Sequence, residues 1–249
     1  MAISSLRAES RRTQLRAHLA REGVLDLASA AEECGVSEMT IRRDLTELER
    51  EGLLKRVRGG AVAVPPELFE RRRVSHREAK LRIAAKLAAL VPQHWFVAMD
   101  ASSTIHALVQ EMPTSDATVF TTGIEAFQLL RGKVARAIIS GGELEASTGA
   151  LVGPVALRGL EDFYYARSFI SPSGIDSELG ATESTIEGAE LKRALRRQSQ
   201  SVVVAADSSK LSRVAAVVAL GLSEIDLLVT ELDPLDPALD AYRAYVELV

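Results

Sequence analysis

The sequence predicts two folded units of different class: a small helical unit closed by a β-hairpin, then a larger α/β domain built on a mainly parallel sheet. Three observations carry this. Residues 1–62 divide into helix-length segments with very short connections, and Val64-Pro65-Pro66 then interrupts regular structure. Beyond Pro92, short apolar runs alternate with helix-length segments, the pattern of parallel strands covered on both faces. At 249 residues the chain is long enough for both units. We therefore expect one unit over 1–62, a linker over 63–75, and the α/β domain over 76–249.

Each element has a local cause. A helix over about Leu6–Arg21 is stopped by Gly23, which takes a left-handed cap readily. Asp26 caps a short helix over Leu27–Cys34, Gly35-Val36 makes a tight turn, and Ser37 caps a third helix over about Glu38–Glu51 that Gly52 closes. Leu53–Arg58 alternates partly like a strand, and Gly59-Gly60 is the turn before Ala61-Val62. Helix, helix, tight turn, helix and hairpin is the layout of a winged helix-turn-helix. Past the linker, Ser75–Leu90 reads as a helix with Leu81, Ala84, Ala85 and Ala88 on one side. Strands are expected at Trp95–Met99, Thr118–Thr121, Ala135–Ile139, Ala166–Ile170, Ser201–Ala206 and Ile225–Thr230, and a long helix over Thr182–Arg197.

Composition excludes several classes. The chain is 47% hydrophobic and 26% charged, ordinary for a soluble globular protein. No run of about 18 apolar residues offers a membrane span, and the arginine-rich start lacks the apolar stretch of a signal peptide. One cysteine, Cys34, has no partner for a disulfide, which suits a reducing cytoplasm. Four scattered histidines make no metal-ligand spacing, so neither metal nor cofactor is expected. The net charge of −4 argues against nucleic acid, but it is unevenly spread: residues 1–62 carry 11 Lys and Arg against 10 Asp and Glu, and the rest sums to −5. Within 52–62, Lys55, Arg56 and Arg58 stand without any acid, a local excess of the kind phosphate contacts need.

Around the third helix, Ile41, Leu45 and Leu48 share an inner face, while Met39, Arg43, Thr46 and Arg50 point outward with Arg42 on the flank. Glu47, Glu49 and Glu51 leave room for a merely solvated face; the acid-free hairpin beside a glycine pair favours DNA, with the helix in the major groove. The candidate DNA contacts are Ser37, Met39, Thr40, Arg42, Arg43, Thr46, Lys55, Arg56, Arg58 and Gly59.

In the α/β domain the carboxyl ends of the expected strands are polar and small, where such sheets bind ligands. Asp100 is followed by Ala101-Ser102-Ser103-Thr104 at a helix start, an anion site in waiting. Thr121-Thr122-Gly123, Ser140-Gly141-Gly142, Ser171–Asp176 and Asp207-Ser208-Ser209-Lys210 end the next four strands. Each alone reads as a cap or a turn; five on one sheet edge point to a pocket. Glu183 is added as the acid of the following helix nearest the strand ends. His106 reads as packed or solvated.

Ser37–Leu45, Glu51-Gly52-Leu53-Leu54 and Arg58-Gly59-Gly60-Ala61 resemble the DeoR-type family of bacterial repressors. Asp100–Thr104, Gly141-Gly142, Leu151–Pro154, Gly174-Ile175-Asp176 and Asp207–Lys210 extend the resemblance over nearly the whole chain. It implies a fold similar to ribose-5-phosphate isomerases and CoA transferases, and release from operator DNA when a phosphorylated sugar binds. It also implies that Ser102, Ser103 and Thr104 hold phosphate, Asp100 and Asp176 bind sugar hydroxyls, and Lys210 supplies charge; Thr121, Thr122, Gly141, Gly142 and Glu183 join the candidate pocket from their places near the strand ends. Ser102 stands where the family generally has glycine, Thr122-Gly123 replaces Asn-Ser, and Gly174-Ile175-Asp176 after Ser171-Pro172-Ser173 replaces Gly-Ala-Asp. A homodimer or homotetramer is expected, since one recognition helix reads only a few base pairs. The rival reading is an isomerase-like enzyme fused to a DNA-binding unit, with Asp176 or Glu183 as general base. An attached DNA-binding unit makes sensing the simpler role, with no catalytic residue.

Overall fold

Helix α1 (Ala2–Glu22) ends at Gly23, whose φ of 73° supplies the left-handed cap. A short strand, β1 (Val24–Asp26), follows where the sequence offered only a connection. Asp26 then accepts the backbone N–H of Ser29 to cap α2 (Leu27–Cys34), and left-handed Gly35 closes it. Helix α3 (Glu38–Arg50) buries Ile41, Leu45 and Leu48 and leaves Met39 60% exposed. The hairpin β2 (Leu54–Val57) and β3 (Gly60–Ala63) adds β1 as a third strand in the order β1-β3-β2. That addition explains Gly60: a Cβ there would stand 1.9 Å from the Leu25 carbonyl oxygen. Leu15, Leu19, Leu25, Leu27, Leu54 and Ala61 complete the core with the three α3 side chains.

The structure is a computed structural model that describes residues 2–50, 54–63 and 68–249. The expected helix stop at Gly52 and the Val64-Pro65-Pro66 break lie outside the described residues, as does the side chain of Arg50. Within the span expected to be linker, α4 (Phe69–Val74) is a helix whose Phe69 is buried.

Helix α5 (Arg77–Ala88) buries Lys80, Ile83, Ala84 and Leu87, whereas Ala85 is exposed. The buried face is rotated from the expected one because its first position is a lysine, which broke the apolar pattern in the sequence. The chain continues through β4 (Phe96–Met99), α6 (Ser103–Glu111), β5 (Ser115–Thr121), α7 (Ile124–Leu130) and β6 (Val134–Ile139). A hairpin of β7 (Glu143–Glu145) and β8 (Ala150–Val152) precedes α8 (Gly153–Glu161) and β9 (Tyr165–Ile170). Then come β10 (Gly174–Asp176), β11 (Gly180–Glu183), α9 (Ile186–Arg197), β12 (Ser199–Ala205), β13 (Val217–Leu220), β14 (Leu227–Val229) and β15 (Glu247–Leu248). The helix expected from Thr182 starts later, at Ile186 with Thr185 as its cap, because Thr182 and Glu183 pair in β11 with β13.

Seven strands form one parallel sheet in the order β15-β14-β12-β9-β4-β5-β6. Side chains alternate across it: Val97, Met99, Val203 and Ala205 face a core with α5 and α6, while Ala98, Val202 and Val204 face a core with α8 and α9. From β4 the chain first builds outward through β5 and β6, then returns to lay β9, β12 and β14 on the other side. The reversal falls between β4 and β9, and loops leaving such a switch point diverge and open a crevice. The smaller sheet β10-β11-β13 stands at that end, held by Tyr242, whose hydroxyl donates to Ile175 O and accepts the N–H of Ser212.

Candidate functional site

Two surfaces combine the residues singled out by sequence. The first is the outward face of α3 with the hairpin. Ser37 caps α3, its Oγ accepting the Thr40 N–H at 3.3 Å and lying 3.0 Å from the Thr40 hydroxyl. Below, Arg11 Nε donates to the buried carboxylate of Asp44 at 2.5 Å, fixing α3 on α1. On the outer face Arg42 makes a loose 3.5 Å contact with Glu38. Arg56 is committed within the protein: its Nε and its backbone N–H both donate to the Glu49 carboxylate, at 2.7 and 2.8 Å, and Nη1 donates to Thr46 Oγ1 at 3.0 Å. Those bonds hold the Glu49 carboxyl below the usual carboxylate range, the Arg56 backbone N–H contributing most. Thr46 in turn donates to Arg42 O. Arg56 and Thr46 thus lock the hairpin to α3, which leaves exposed Met39, Arg42, Arg43, Lys55, Arg58 and Gly59 as the outward set. Gly59 has a φ of 89°, so the hairpin tip demands glycine.

The second surface is a cavity of about 190 Å³ at the carboxyl ends of β4 and β9, on the switch point. Its floor is a buried charge cluster. Lys192 of α9 places Nζ 3.0 Å from Asp100 and 2.6 Å from Glu183. Burial opposes the lysine's charge, but the two carboxylates more than offset it and hold its pKa above the usual range. Every carboxylate oxygen is occupied. Asp100 Oδ1 accepts the N–H of Ser102 and Oδ2 that of Ser171, at 2.9 and 2.8 Å. Glu183 Oε2 accepts from Ser173 Oγ at 2.8 Å and from the N–H of Ser184 at 3.3 Å. On one side, Lys210 Nζ donates to Ser171 Oγ at 2.8 Å, and Ser171 Oγ donates to Thr104 Oγ1 at 3.2 Å. Burial pushes the Lys210 ammonium down to about 8; Asp207 pulls it back up and Lys80 pushes it further down.

Of the sequence candidates, Asp100, Ser102, Ser103, Thr122, Glu183 and Lys210 line this cavity together. The others lie apart from it, each with a local task. Ser102 is also an N-cap, its Oγ accepting the Ile105 N–H, and Thr104 is wholly buried behind it. Thr121 Oγ1 accepts the Gly123 N–H. Asp176 Oδ1 accepts the N–H groups of Glu178 and Leu179, so it closes the β10–β11 turn. The Gly141-Gly142 pair serves packing: a Cβ on Gly142 would stand 2.5 Å from Val152 O. Gly123 is a similar case, with a Cβ there 2.8 Å from the Cα of Ala101. The Thr122-Gly123 departure thus lets the loops after β4 and β5 cross closely. Asp100, expected to bind sugar hydroxyls, accepts from Lys192 and from the amides of Ser102 and Ser171.

Sequence reasoning missed four cavity cations: Arg72, Lys80, Lys192 and Arg213. Lys80 and Lys192 had a readable signal, since each sits on an apolar helix face, with Ile83, Ala84 and Leu87 or with Ala189 and Leu195. A lysine in such a face is buried only with partners. Arg72 and Arg213 carry no such mark.

Residues 11–67 match the family described as DeoR-like helix-turn-helix domain, and residues 75–232 match DeoR C terminal sensor domain. The chain is similar to the lactose phosphotransferase system repressor of Streptococcus mutans, 29% identical over 254 aligned positions that cover 98% of this chain and 100% of that protein. It is likewise similar to the glycerol-3-phosphate regulon repressor of Escherichia coli, 29% identical over 219 positions, 86% of this chain and 87% of that protein. Among solved structures, ribose 5 phosphate isomerase A from Neisseria gonorrhoeae aligns with 53% of this chain and 52% of its own, at a TM-score of 0.37 and 16% identity.

The floor cluster yields a stability test. Lys192→Met leaves two buried carboxylates without a counter-charge, a change expected to cost about 3–5 kcal/mol of unfolding free energy in urea titrations. A loss below about 1 kcal/mol would show that the three groups are not a mutually dependent unit.

Proposed function

The chain belongs to the DeoR family of DNA-binding transcriptional regulators, and on that footing we propose that it is a repressor released from its operator by a small phosphorylated sugar held in the switch-point cavity. The observation that carries the effector reading is the polarity of that cavity. Asp100 and Glu183 are paired within the protein, and Lys210 and the first turn of α6 face the space beside two further acids, Glu145 and Asp207. First-turn amides have no acceptor inside their helix and favour an anion. The phosphoryl group is assigned to Ser102, Ser103 and Lys210, and the sugar to the side lined by Thr122 and Ser173. That the similar repressors named above carry lactose phosphotransferase and glycerol-3-phosphate in their names agrees with this class of effector.

An isomerase reading is not favoured. Proton abstraction needs a carboxylate with a lone pair aimed at substrate, and the Glu183 oxygens are taken by Lys192, Ser173 and Ser184. Asp176, the other candidate base, caps a turn. The proposed assembly is a homodimer or homotetramer on repeated half-sites of double-stranded DNA. The proposed location is the cytoplasm; among the described residues no helix is long and apolar enough to cross a membrane.

In the proposed DNA contact, Arg43 reads bases from the outward face of α3 and Arg58 touches phosphate from the hairpin. Arg43→Ala is expected to cost about 1–3 kcal/mol and to relax preference at particular base pairs. Arg58→Ala is expected to weaken all sequences alike and to lower the slope of log affinity against log salt by about one. Binding to a panel of operator variants at several salt concentrations checks both. Equal loss of specificity from the two changes contradicts the assignment.

The effector site has a pH signature. Lys210 in the free protein titrates near 8, and an anion beside it favours the charged form, so binding takes up a proton above that pH. Affinity for a sugar phosphate is expected to be level between pH 7 and 7.5, where the ligand is already mostly a dianion, and to fall up to about tenfold per unit above 8. Lys210→Ala is expected to remove this dependence and effector-driven release while keeping operator binding. Calorimetry from pH 7 to 9.5 checks it; a flat profile in the unaltered protein counts against Lys210 as the phosphate cation.

A further inference from the structure

The cavity has a second cationic wall, and it comes from the segment that connects the two units. Helix α4 is docked rather than tethered: its Phe69 N–H donates to Ser147 O at 2.8 Å, and the Phe69 ring meets the buried His106 of α6 edge-on at 5.5 Å. Arg72 Nη2 donates to Thr148 O at 3.0 Å, with its guanidinium 5.7 Å above the Phe69 ring. Buried Lys80 turns its ammonium back on the junction, donating to Ser75 O at 2.7 Å and to Arg72 O. Between α4 and α5 stands His76, with φ 50° and ψ 35° in the left-handed region, where a side chain is disfavoured by roughly 1 kcal/mol. Its imidazole is exposed, lines the cavity, and has no hydrogen-bond partner among the described residues. The exposed ring thus stands at the cavity rim, within reach of a molecule bound there.

Lys80 and Lys210 line the same cavity, where the Lys80 charge disfavours that of Lys210. An anion in the cavity offsets that effect. We infer that the effector's phosphoryl group is shared between the Lys210 wall and the α4–α5 junction, with Arg72 and His76 as ligand-binding side chains. This rests on the cavity being the effector site, and deepens that reading: the ligand grips the very segment that leads to the DNA-binding unit, so its arrival acts on α4 without a relay through the sheet. The four histidines make the idea directly observable.

The test uses the full chain labelled with [15N]histidine, titrated with inorganic phosphate and with glycerol 3-phosphate. The expected result is a saturable shift of the His76 imidazole signals, with those of His18 and His94 unmoved. Affinity for both probes is expected to fall about tenfold or more in Arg72→Ala, and several-fold in His76→Gly, which retains the left-handed backbone. Lys210→Ala monitors the underlying reading. If Lys210→Ala loses binding while Arg72→Ala and His76→Gly stay within twofold and His76 does not shift, the cavity reading stands and the junction wall is overturned. If binding persists in Lys210→Ala and in Arg72→Ala alike, the anion sits elsewhere and both are overturned. Absence of saturable binding to either probe overturns both as well.

Discussion

Two acids and one lysine, buried together at the carboxyl ends of the sheet, are the constraint on which the rest of the sensor half depends. Asp100 comes from β4, Glu183 from β11 and Lys192 from α9, so the cluster ties the seven-stranded sheet, the small sheet and a helix at one point. Desolvating three charges is costly, and only complete pairing makes the arrangement tolerable. The pairing is complete, down to the amides of Ser102, Ser171 and Ser184. Two consequences follow. The carboxylate oxygens are spent on groups within the protein. They also position the loops, because Asp100 fixes the starts of both the α6 turn and the Ser171 loop.

The cluster carries two negative charges against one positive, so the cavity floor is mildly acidic and the walls carry the cations. Arg72 and Lys80 come from one stretch of chain and Lys210 and Arg213 from another. In the proposed complex the phosphoryl group meets these cations and the sugar lies beside Thr122 and Ser173. The DNA-facing half follows the same economy. Acids that would repel phosphate are consumed locally, Asp44 by Arg11 and Glu49 by Arg56, and Arg43, Lys55 and Arg58 remain outward.

Much of this was legible in the sequence wherever a local rule decides structure. The cap at Asp26, the limits Leu27–Cys34, the inner face Ile41, Leu45 and Leu48, and six of the seven parallel strands all follow from capping chemistry and apolar periodicity. What failed to show depends on long-range pairing. Strand β15 is two residues long, and β10, β11 and β13 pair through a bulge at Ala181/Thr182, with no alternation to read. The helix at Phe69–Val74 exists through its packing, since Arg71-Arg72-Arg73 reads as linker. In the site, strand-end positions were legible, but the fate of each side chain was not. Asp100 and Asp176 look alike in sequence, and only the fold assigns one to a charge cluster and the other to a turn. Lys80 and Lys192 stayed hidden because a buried lysine is recognised by partners far away in the chain.

In the proposed switch, one cavity and one DNA face share a single conformational equilibrium. A ligand shifts such an equilibrium only by its differential affinity for the two states, and the coupling is reciprocal. The most direct measurement titrates the sugar phosphate that stabilises the protein most, once with the free protein and once with the protein saturated by operator DNA. Operator is expected to weaken the sugar phosphate by the same factor by which the sugar phosphate weakens operator, between about 5 and 150-fold for a typical coupling. Equal ligand affinity in the two titrations would contradict it.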